Sequence, residues 1–373
     1  MAALHGATPR DRKPRRPVDV ATLALKTESA HLLFQSGRME VLIGPPASGK
    51  SRLLRLLAGL ATQADARVYA GGVEVTGSTP LQRGVRYVAP GGVVYPGCSV
   101  LDNLLLAAGS ADPEGRARRA AHEFGLDDVL HAPADRLPPA VRQRVAFAKA
   151  SSSTASAVLL DEPFAAFDSL AHNSVRELLR TAFVARERIV AVATGSPIEA
   201  AGLGGGLHVV DDRAVLQRGA LRSIMAAPAS ERVARIVFGP GLSVWPVMLV
   251  KDVTLGRLVQ LGDRLVVPAP TAWDALPPGS YRLGIPAHRV RLARRHAADV
   301  ELRAEVARVD AAGGQLLVTV RTERREIAFA SRTRFAVRQP VVLYVTLADA
   351  LVFSSHGRAL PLGNEEMVAH GAH

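Results

Sequence analysis

The sequence predicts an α/β domain followed by a smaller, β-rich domain. The first observation is an alternation of apolar, strand-like runs with helical spacings, which continues from Met39 to Phe238. The second is a change at Gly239, after which short β-rich runs are separated by Pro and Gly. Alternating strands and helices are typical of a mostly parallel sheet flanked by helices, whereas closely spaced short strands are typical of a small barrel or sandwich. We therefore place the boundary near residues 236–243.

Composition agrees with two folded domains. The chain has 373 residues, more than the roughly 100–200 of a usual single domain. Hydrophobic residues make up 48% and charged residues 21%, a balance that excludes disorder over most of the chain. The single cysteine, Cys98, excludes an intramolecular disulfide or a thiolate metal cluster and is compatible with a reducing cytoplasm.

Two further function classes are disfavoured by charge and hydropathy. No apolar run reaches the ~18 residues that span a bilayer, and residues 1–16 lack the apolar core of a signal peptide, so we expect no membrane insertion. The net charge of +12 is compatible with a nucleic acid, an anionic lipid surface or an arginine-rich proteome. No zinc-finger spacing, RNP-type stretch or basic heptad region accompanies this charge, so we expect no nucleic-acid partner. We predict a basic disordered tail at 1–17 and a second tail at 366–373.

The elements follow from local periodicity. Met39–Ile43 is an apolar strand, and the leucines after the glycine-bearing turn at 44–49 have helical spacing. In the rest of the α/β region, helices are predicted at 101–108, 117–124, 142–150 and 221–238, an amphipathic turn at 198–203, and strands at 68–75, 84–89, 157–160, 189–193 and 208–210. In the β-rich region, strands are predicted at 265–268, 280–284, 316–320, 326–330 and 341–346.

The most specific motif is a glycine-rich loop that fits G-x-x-x-x-G-K-[ST] between a predicted strand and a predicted helix, the context which a phosphate-binding loop needs. Its backbone N–H groups and the positive end of the helix can surround phosphate oxygens. We predict that Lys50 neutralises the β- and γ-phosphates of ATP and that the Ser51 hydroxyl ligates Mg²⁺. The candidate nucleotide-binding residues are Gly44, Pro45, Pro46, Ala47, Ser48, Gly49, Lys50 and Ser51.

A second motif supplies carboxylates. The apolar run Val158–Leu160 ends in Asp161 and Glu162, which places two acids at the end of a predicted strand. We predict that Asp161 holds Mg²⁺ through water and that Glu162 is the catalytic residue that orients or deprotonates the attacking water.

These motifs, in this order, resemble the ATP-binding subunits of bacterial ABC importers, and the likeness covers nearly the whole chain. Residues 164–168 are similar to the family's D-loop. Residues 142–150, Arg-Gln-Arg-Val-Ala-Phe-Ala-Lys-Ala, are similar to the R-Q-R-V-A-L-A-R-A helix that follows the family's signature motif. Residues 94–96 and 99–103 are similar to the segment after the Q-loop.

The β-rich region extends the resemblance. Residues 283–290 are similar to the G-I-R-P-E-H-V element of the C-terminal TOBE domain, which marks the carbohydrate and sn-glycerol-3-phosphate uptake branch. Residues 193–205 most resemble the less typical of two tandem ATPase subunits in some glycerol-3-phosphate systems. The implied fold is an α/β P-loop NTPase of the ABC type at 18–238, with a helical subdomain at about 90–150, followed by a TOBE/OB-like β domain at 239–365.

The resemblance also implies partners and location. It implies a peripheral protein on the cytoplasmic face of the inner membrane that binds transmembrane permease subunits and a second ABC ATP-binding subunit. A periplasmic or extracellular solute-binding protein would be an indirect partner. The implied function couples ATP binding and hydrolysis to uptake of a carbohydrate, polyol or glycerol-3-phosphate-like solute.

The chain departs from the family at positions that serve hydrolysis. Pro90 stands where the family has its Q-loop glutamine, and Gly195 stands where it has its switch histidine. The signature L-S-G-G-Q is replaced by Leu-Pro-Pro-Ala-Val at 137–141, whose prolines have no N–H for a γ-phosphate. No aromatic residue lies between Val18 and Ala30 to stack on adenine, and Ala47 replaces a loop glycine.

These departures predict ATP binding with weak or absent hydrolysis by a homodimer, because loss of an oriented catalytic group typically costs ~10²–10⁴ in rate. The leading hypothesis is therefore a degenerate subunit paired with a more typical ATPase. One alternative is a non-catalytic regulatory or scaffold protein that switches on nucleotide binding. Another is an active homodimer in which Ser196 or Arg142 replaces the lost groups.

Overall fold

The computed structural model describes residues 21–109, 111–262, 265–312, 314–322 and 325–360. The predicted tails at 1–17 and 366–373 lie outside these residues. The described residues split into two compact units: 21–42 with 47–194 and 212–214, and 43–46 with 195–211 and 215–360. The predicted domain limits, 18–238 and 239–365, stay a prediction.

The first unit is built from short strands and mostly amphipathic helices. Its strands are β1 Thr22–Lys26, β2 His31–Gln35, β3 Met39–Ile43, β4 Arg67–Ala70, β5 Val73–Glu74, β6 Val85–Val88, β7 Ala157–Asp161 and β8 Ile189–Thr194. Its helices are α1 Lys50–Ala58, α2 Val100–Ala108, α3 Pro113–Glu123, α4 Pro139–Ser152 and α5 His172–Phe183.

Two sheets organise this unit. β1, β2, β4 and β5 form an antiparallel sheet in the order β2-β1-β4-β5. The strands of this unit that belong to the other sheet follow the order β3-β8-β7-β6, in which β7 pairs in parallel with both β6 and β8. Every residue of β7 and β8 is buried, which explains why both strands are almost wholly apolar. The acids that end β7 therefore lie at the carboxyl edge of this sheet.

The carboxyl end of α4 is held by two arginines from other elements. Arg188 donates to the carbonyls of Ala150, Ser151 and Ser153 at 2.8–3.1 Å. Arg116, on α3, donates to the carbonyls of residues 152 and 153 at 2.7 and 2.6 Å. The last carbonyls of a helix have no partner within it, so these cations satisfy them and fix this end of α4.

The second unit is mainly β-structure. Its strands are β9 Gly206–Asp211, β10 Ala214–Ala220, β11 Leu242–Asp252, β12 Gly256–Leu261, β13 Leu265–Pro268, β14 Gly279–Pro286, β15 Val290–Arg291, β16 Val300–Ala312, β17 Gln315–Arg321, β18 Glu326–Ser331, β19 Pro340–Val345 and β20 Leu351–Ser354. Its helices are α6 Pro197–Leu203, α7 Leu221–Ala226 and α8 Glu231–Phe238.

Ten of these strands form two five-stranded sheets, in the orders β13-β12-β11-β14-β20 and β15-β19-β16-β17-β18. The sheets share one apolar core, in which Trp245 and Leu283 of the first sheet pack with Val306 and Phe329 of the second. The predicted order of an α/β region followed by a β-rich, barrel-like region is confirmed.

One predicted helix is wrong. The segment predicted as a single helix at 221–238 forms α7 and α8, with Pro228 between them. Proline cannot donate the hydrogen bond that a continuous helix needs. The Ser230 hydroxyl then accepts the N–H of Val233 at 3.2 Å and begins α8.

Candidate nucleotide-binding site

The glycine-rich loop joins β3 to α1 as predicted, and its last glycine is required by a close contact. Gly49 has φ +101°, and a Cβ at this position would lie 2.9 Å from the side chain of Arg213 and 3.0 Å from its Cα. The N–H of Arg213 donates to the carbonyl of Ser48 at 2.7 Å. The loop is thus braced by a residue that is distant in sequence, which the sequence analysis did not identify.

Ala47 adopts a conformation that suits glycine better. Its φ is +63°, in the left-handed region, and its side chain is exposed. An L-residue in this region brings its Cβ close to a carbonyl oxygen at a cost of roughly 1–2 kcal/mol. The loop therefore carries local backbone strain where the family has glycine.

Lys50 begins α1 and is 5% exposed. Its Nζ lies 3.4 Å from the Ser48 hydroxyl and 4.0 Å from Oε1 of Glu162. Burial lowers the pKa of Lys50, while the charges of Glu162 and Asp161 act in the opposite direction. The ammonium group is therefore held beside the loop and next to the acids of β7.

Ser51 and Asp161 come together although 110 positions separate them. The Ser51 hydroxyl donates to Oδ1 of Asp161 at 3.0 Å, and Asp161 is fully buried. A hydroxyl and a carboxylate oxygen are hard ligands of the kind that Mg²⁺ prefers. The residues predicted to hold the cation thus provide a suitable donor set.

Glu162 follows directly, in a strained conformation. Its φ is +47°, and its N–H donates to the carbonyl of Ala193 at 2.9 Å. Its side chain is 35% exposed. Left-handed non-glycine residues cluster at functional sites, where the surrounding structure imposes them. The predicted catalytic carboxylate is therefore reachable by solvent while its backbone is fixed.

Besides Arg213, two further site residues were missed by the sequence analysis. The Tyr87 hydroxyl, from β6, donates to Oδ2 of Asp161 at 2.7 Å, and Nε of Arg55 donates to the Tyr87 hydroxyl at 3.4 Å. Burial, together with the hydrogen bond to Asp161, raises the pKa of Tyr87 to about 12, so the phenol remains a donor. Arg55 could have been suspected, because it lies four residues after Ser51 and shares its helix face.

The loop that contains Pro90 packs tightly on α4. Pro90 lies two residues after the end of β6. Gly92 has φ +66°, and a Cβ there would lie 2.5 Å from the backbone of Arg142 and Gln143. The segment at the family's Q-loop position is therefore packed against the first turns of α4.

The altered signature forms the start of a regular helix. Pro138 is the N-cap of α4 and Pro139 is its first residue, a position where a helix has no use for an N–H. The first helical hydrogen bond runs from the N–H of Arg142 to the carbonyl of Pro138 at 2.9 Å. Among residues 138–141, which precede Arg142 at the start of α4, only Ala140 and Val141 carry a backbone N–H. The prolines preserve the helix while removing donors from its tip.

The position of the switch histidine is occupied by backbone alone. Gly195 follows the last residue of β8, Thr194. The next residue, Ser196, accepts the N–H of Glu199 at 3.2 Å and caps α6. Ser196, which the active-homodimer alternative takes as a replacement for the switch histidine, therefore already serves as the N-cap of α6.

Comparisons with known proteins decide the family. Residues 27–165 match the ABC transporter family. The sn-glycerol-3-phosphate import ATP-binding protein UgpC of Paracoccus denitrificans is 30% identical over 267 residues, which cover 69% of this chain and 72% of that protein. The chain belongs to the ABC import ATP-binding protein family.

Other members of the ABC import ATP-binding protein family align over different lengths. The molybdate/tungstate import ATP-binding protein WtpC of Pyrococcus horikoshii is 28% identical, over 67% of this chain and 71% of that protein. The maltose/maltodextrin import ATP-binding protein MalK of Photorhabdus laumondii is 28% identical over 86% of each chain. Some other relatives are covered over only 58% to 61% of their length. The C-terminal β-rich region fits the TOBE/OB-like domain expected in this family.

The chain has the nucleotide-binding fold of the ABC import ATP-binding protein family. Within the described ranges, no helix combines the length and the hydropathy that crossing a bilayer requires.

Proposed function

We propose that this chain binds Mg²⁺-ATP at its glycine-rich loop and couples binding to solute uptake through transmembrane permease subunits. The observation that carries the proposal is the convergence of Lys50 and Ser51 on the carboxylates at the end of β7. The Ser51 hydroxyl lies 3.0 Å from Asp161, and the Lys50 ammonium lies 4.0 Å from Glu162. Such a combination of cation and oxygen ligands beside a helix N-terminus suits a triphosphate and its metal ion.

The site supplies separate groups for the phosphates and for the cation. Lys50 provides positive charge at the loop, and backbone N–H groups of residues 44–51 provide donors for phosphate oxygens. Ser51 and Asp161 would hold Mg²⁺, which neutralises charge on the phosphates when it is bound. Of the two acids at the end of β7, Asp161 would therefore serve the cation, which leaves Glu162 for the attacking water.

Glu162 is the proposed general base. Its carboxylate would accept a proton from the water whose oxygen attacks the γ-phosphorus, while the bond from that phosphorus to the bridging oxygen of the ADP leaving group breaks. Its 35% exposure supports access of water to the carboxylate. The N–H of Glu162, bonded to Ala193, supports a fixed position for this residue.

We propose further that hydrolysis is weak in a homodimer and needs a second, more typical ABC ATP-binding subunit. Pro90 and Gly195 lack the side chains that would assist the chain's own site. Pro138 and Pro139 remove N–H donors from the tip of α4, which would face the site of the partner. Both sites of a homodimer would therefore be incomplete.

For the transported solute we propose a carbohydrate, polyol or glycerol-3-phosphate-like compound. The support comes from two of the relatives above, whose names specify sn-glycerol-3-phosphate and maltose/maltodextrin import, and from the TOBE-like region. An extracellular or periplasmic solute-binding protein would deliver the solute. The chain would lie on the cytoplasmic face of the inner membrane, docked on its permease.

The test measures Mg²⁺-ATP binding and phosphate release by the purified chain, alone and mixed with an ABC ATP-binding subunit encoded beside it. Lys50→Ala should abolish binding. Arg52→Ala is a matched control, because Arg52 is exposed on the same helix and bonds to Gln63 and Thr62 instead. Binding that depends on Lys50, with turnover only in the mixture, is the expected result.

Other outcomes would overturn parts of the proposal. No binding by the parent chain would mean that the loop is vestigial. Robust turnover by the chain alone would refute the need for a partner and favour an active homodimer. Binding without turnover in the mixture would leave a regulatory subunit.

A further inference from the structure

A chain of hydrogen bonds reaches the buried carboxylate of Asp161 at the oxygen that Ser51 does not contact. Ser51 donates to Oδ1 at 3.0 Å, whereas Tyr87 donates to Oδ2 at 2.7 Å. Each carboxylate oxygen therefore has its own donor, and the plane of the carboxylate is fixed by two bonds. A single bond would leave the carboxylate free to rotate about its Cβ–Cγ axis.

The direction of this chain is set by Arg55. Its Nε–H donates to the Tyr87 oxygen at 3.4 Å, and a guanidinium has no acceptor. The phenol must then accept from Arg55 and give its own proton to Asp161. Arg55 and Ser51 lie one turn apart on α1, so the helix that carries the Ser51 hydroxyl also carries the group that orients Tyr87.

Strand pairing fixes the third member. β6 and β7 run in parallel, with Tyr87 opposite Leu159, so the ring of Tyr87 extends along the sheet towards the end of β7. Tyr87 stands three residues before Pro90. Pro90 occupies the position where the resemblance predicts the Q-loop glutamine, which this chain lacks. Strand β6, which leads to this loop, thus supplies another polar group, the Tyr87 hydroxyl, to Asp161.

We infer that Tyr87 is a positioning residue of the cation site, which fixes Oδ2 of Asp161 and so keeps Oδ1 beside the Ser51 hydroxyl, the two groups that would hold Mg²⁺ directly or through water. This inference rests on the proposed function, because it concerns the same site. Tyr87 does not touch the cation itself; it acts through the carboxylate. Groups that orient a metal ligand in this way typically contribute ~10–100-fold to metal affinity.

The test measures the Mn²⁺ affinity of the ATP-loaded full chain and its variants by the loss of the free Mn²⁺ electron paramagnetic resonance signal. Protein is kept in excess over ATP so that little free nucleotide remains, and a titration of ATP without protein is subtracted, because free ATP also binds Mn²⁺. Tyr87→Phe removes only the hydroxyl. We expect its Mn²⁺ dissociation constant to rise about tenfold, while ATP binding in EDTA stays unchanged. Arg55→Gln should raise the constant in the same direction by a smaller factor, because the phenol is still present but less well oriented.

Tyr344→Phe is the matched control. Tyr344 also points its hydroxyl at a carboxylate, that of Glu301 at 3.5 Å, in the β-rich unit. Its Mn²⁺ affinity should equal that of the parent.

The outcomes separate this inference from the proposed function. An unchanged Mn²⁺ constant in Tyr87→Phe would overturn the positioning role while leaving ATP binding intact. A tighter constant would also overturn it and would mean that the phenol competes for Oδ2. No Mn²⁺ binding by the parent chain with ATP would refute the cation site itself, and therefore the proposed function.

Discussion

Replacing Ala47 with glycine should stabilise the protein, because this residue has φ +63° in the loop before α1. An L-residue in the left-handed region costs roughly 1–2 kcal/mol. Glycine avoids that cost but increases the conformational entropy of the unfolded chain, which removes about 0.4–1 kcal/mol of the gain. The Ala47 methyl group is exposed, so its loss removes little packing.

The net gain for Ala47→Gly is therefore about 0.8 kcal/mol in the free energy of unfolding when the mid-range values of the two opposing terms are taken. Scanning calorimetry should record this as a rise of about 1–4 °C in the transition of the unit that contains the loop. Urea unfolding followed by circular dichroism should show a higher midpoint with the same slope.

The control is Ala64→Gly. Ala64 is also exposed, and its φ is not in the left-handed region. Only the entropic term applies there, so this variant should be destabilised by about 0.4–1 kcal/mol. If Ala47→Gly lowers stability as much as Ala64→Gly does, the argument from backbone strain is refuted.

Three more predictions concern other polar groups, one half-buried and two buried. Burial, and after it the charge of Arg86, lowers the pKa of Lys149 to about 8. Between about pH 8 and 10 the unfolded chain therefore binds more protons than the folded chain, so the free energy of unfolding rises with pH in this range. Lys149→Met should flatten that rise when the free energy of unfolding is measured by urea titration at several pH values. Gln143 is fully buried, and neither its amide N nor its O has a partner among the described residues, so Gln143→Met should raise stability by about 1–2 kcal/mol in thermal melts, whereas a loss would indicate a bound water. Burial would raise the pKa of Asp299, yet hydrogen bonds from Thr346 and the N–H groups of residues 295 and 296, together with the charge of Arg291, hold it well below its usual range. Stability from Asp299 is therefore present above pH ~4 and is lost as pH falls towards the folded-state pKa; Asp299→Asn should cost about 2–4 kcal/mol at pH 7 and lessen that acid dependence, and an unchanged acid transition would refute the assignment.

Much of the α/β region could be predicted because its signals are local. The strand Met39–Ile43 was predicted with the bounds that the structure has, and the motif at 44–51 lies between a strand and a helix as its pattern requires. The break at Pro228 is also readable, because proline interrupts a helix, although the apolar spacing on both sides of it favours one continuous helix. Helix α5, with Val175, Leu179 and Phe183 on its buried face, was missed although its spacing is helical.

The site residues Tyr87 and Arg213 could not be predicted, for a different reason. Tyr87 meets Asp161 only because β6 and β7 pair in one particular register, and the amino-acid pattern of two short strands far apart in the sequence does not reveal which residues pair. Arg213 meets the loop through a backbone hydrogen bond, which any residue type except proline could make. Contacts of these two kinds leave little pattern in the amino acids, so they become visible only with coordinates.

The arginine-held end of α4 has a mechanical consequence. The helix has 14 residues, so it is about 21 Å long. Its last carbonyls are bound by Arg116 and Arg188, whereas the proline end has no side-chain cap bond. If α4 tilts about its arginine-bound end, each residue is displaced in proportion to its distance from the arginines, and the loop that packs on residues 142 and 143 at Gly92 moves with it. A tilt of about 10° would move the tip by roughly 3.5 Å, so small shifts near the arginines would be delivered, enlarged, at Pro138 and Pro139.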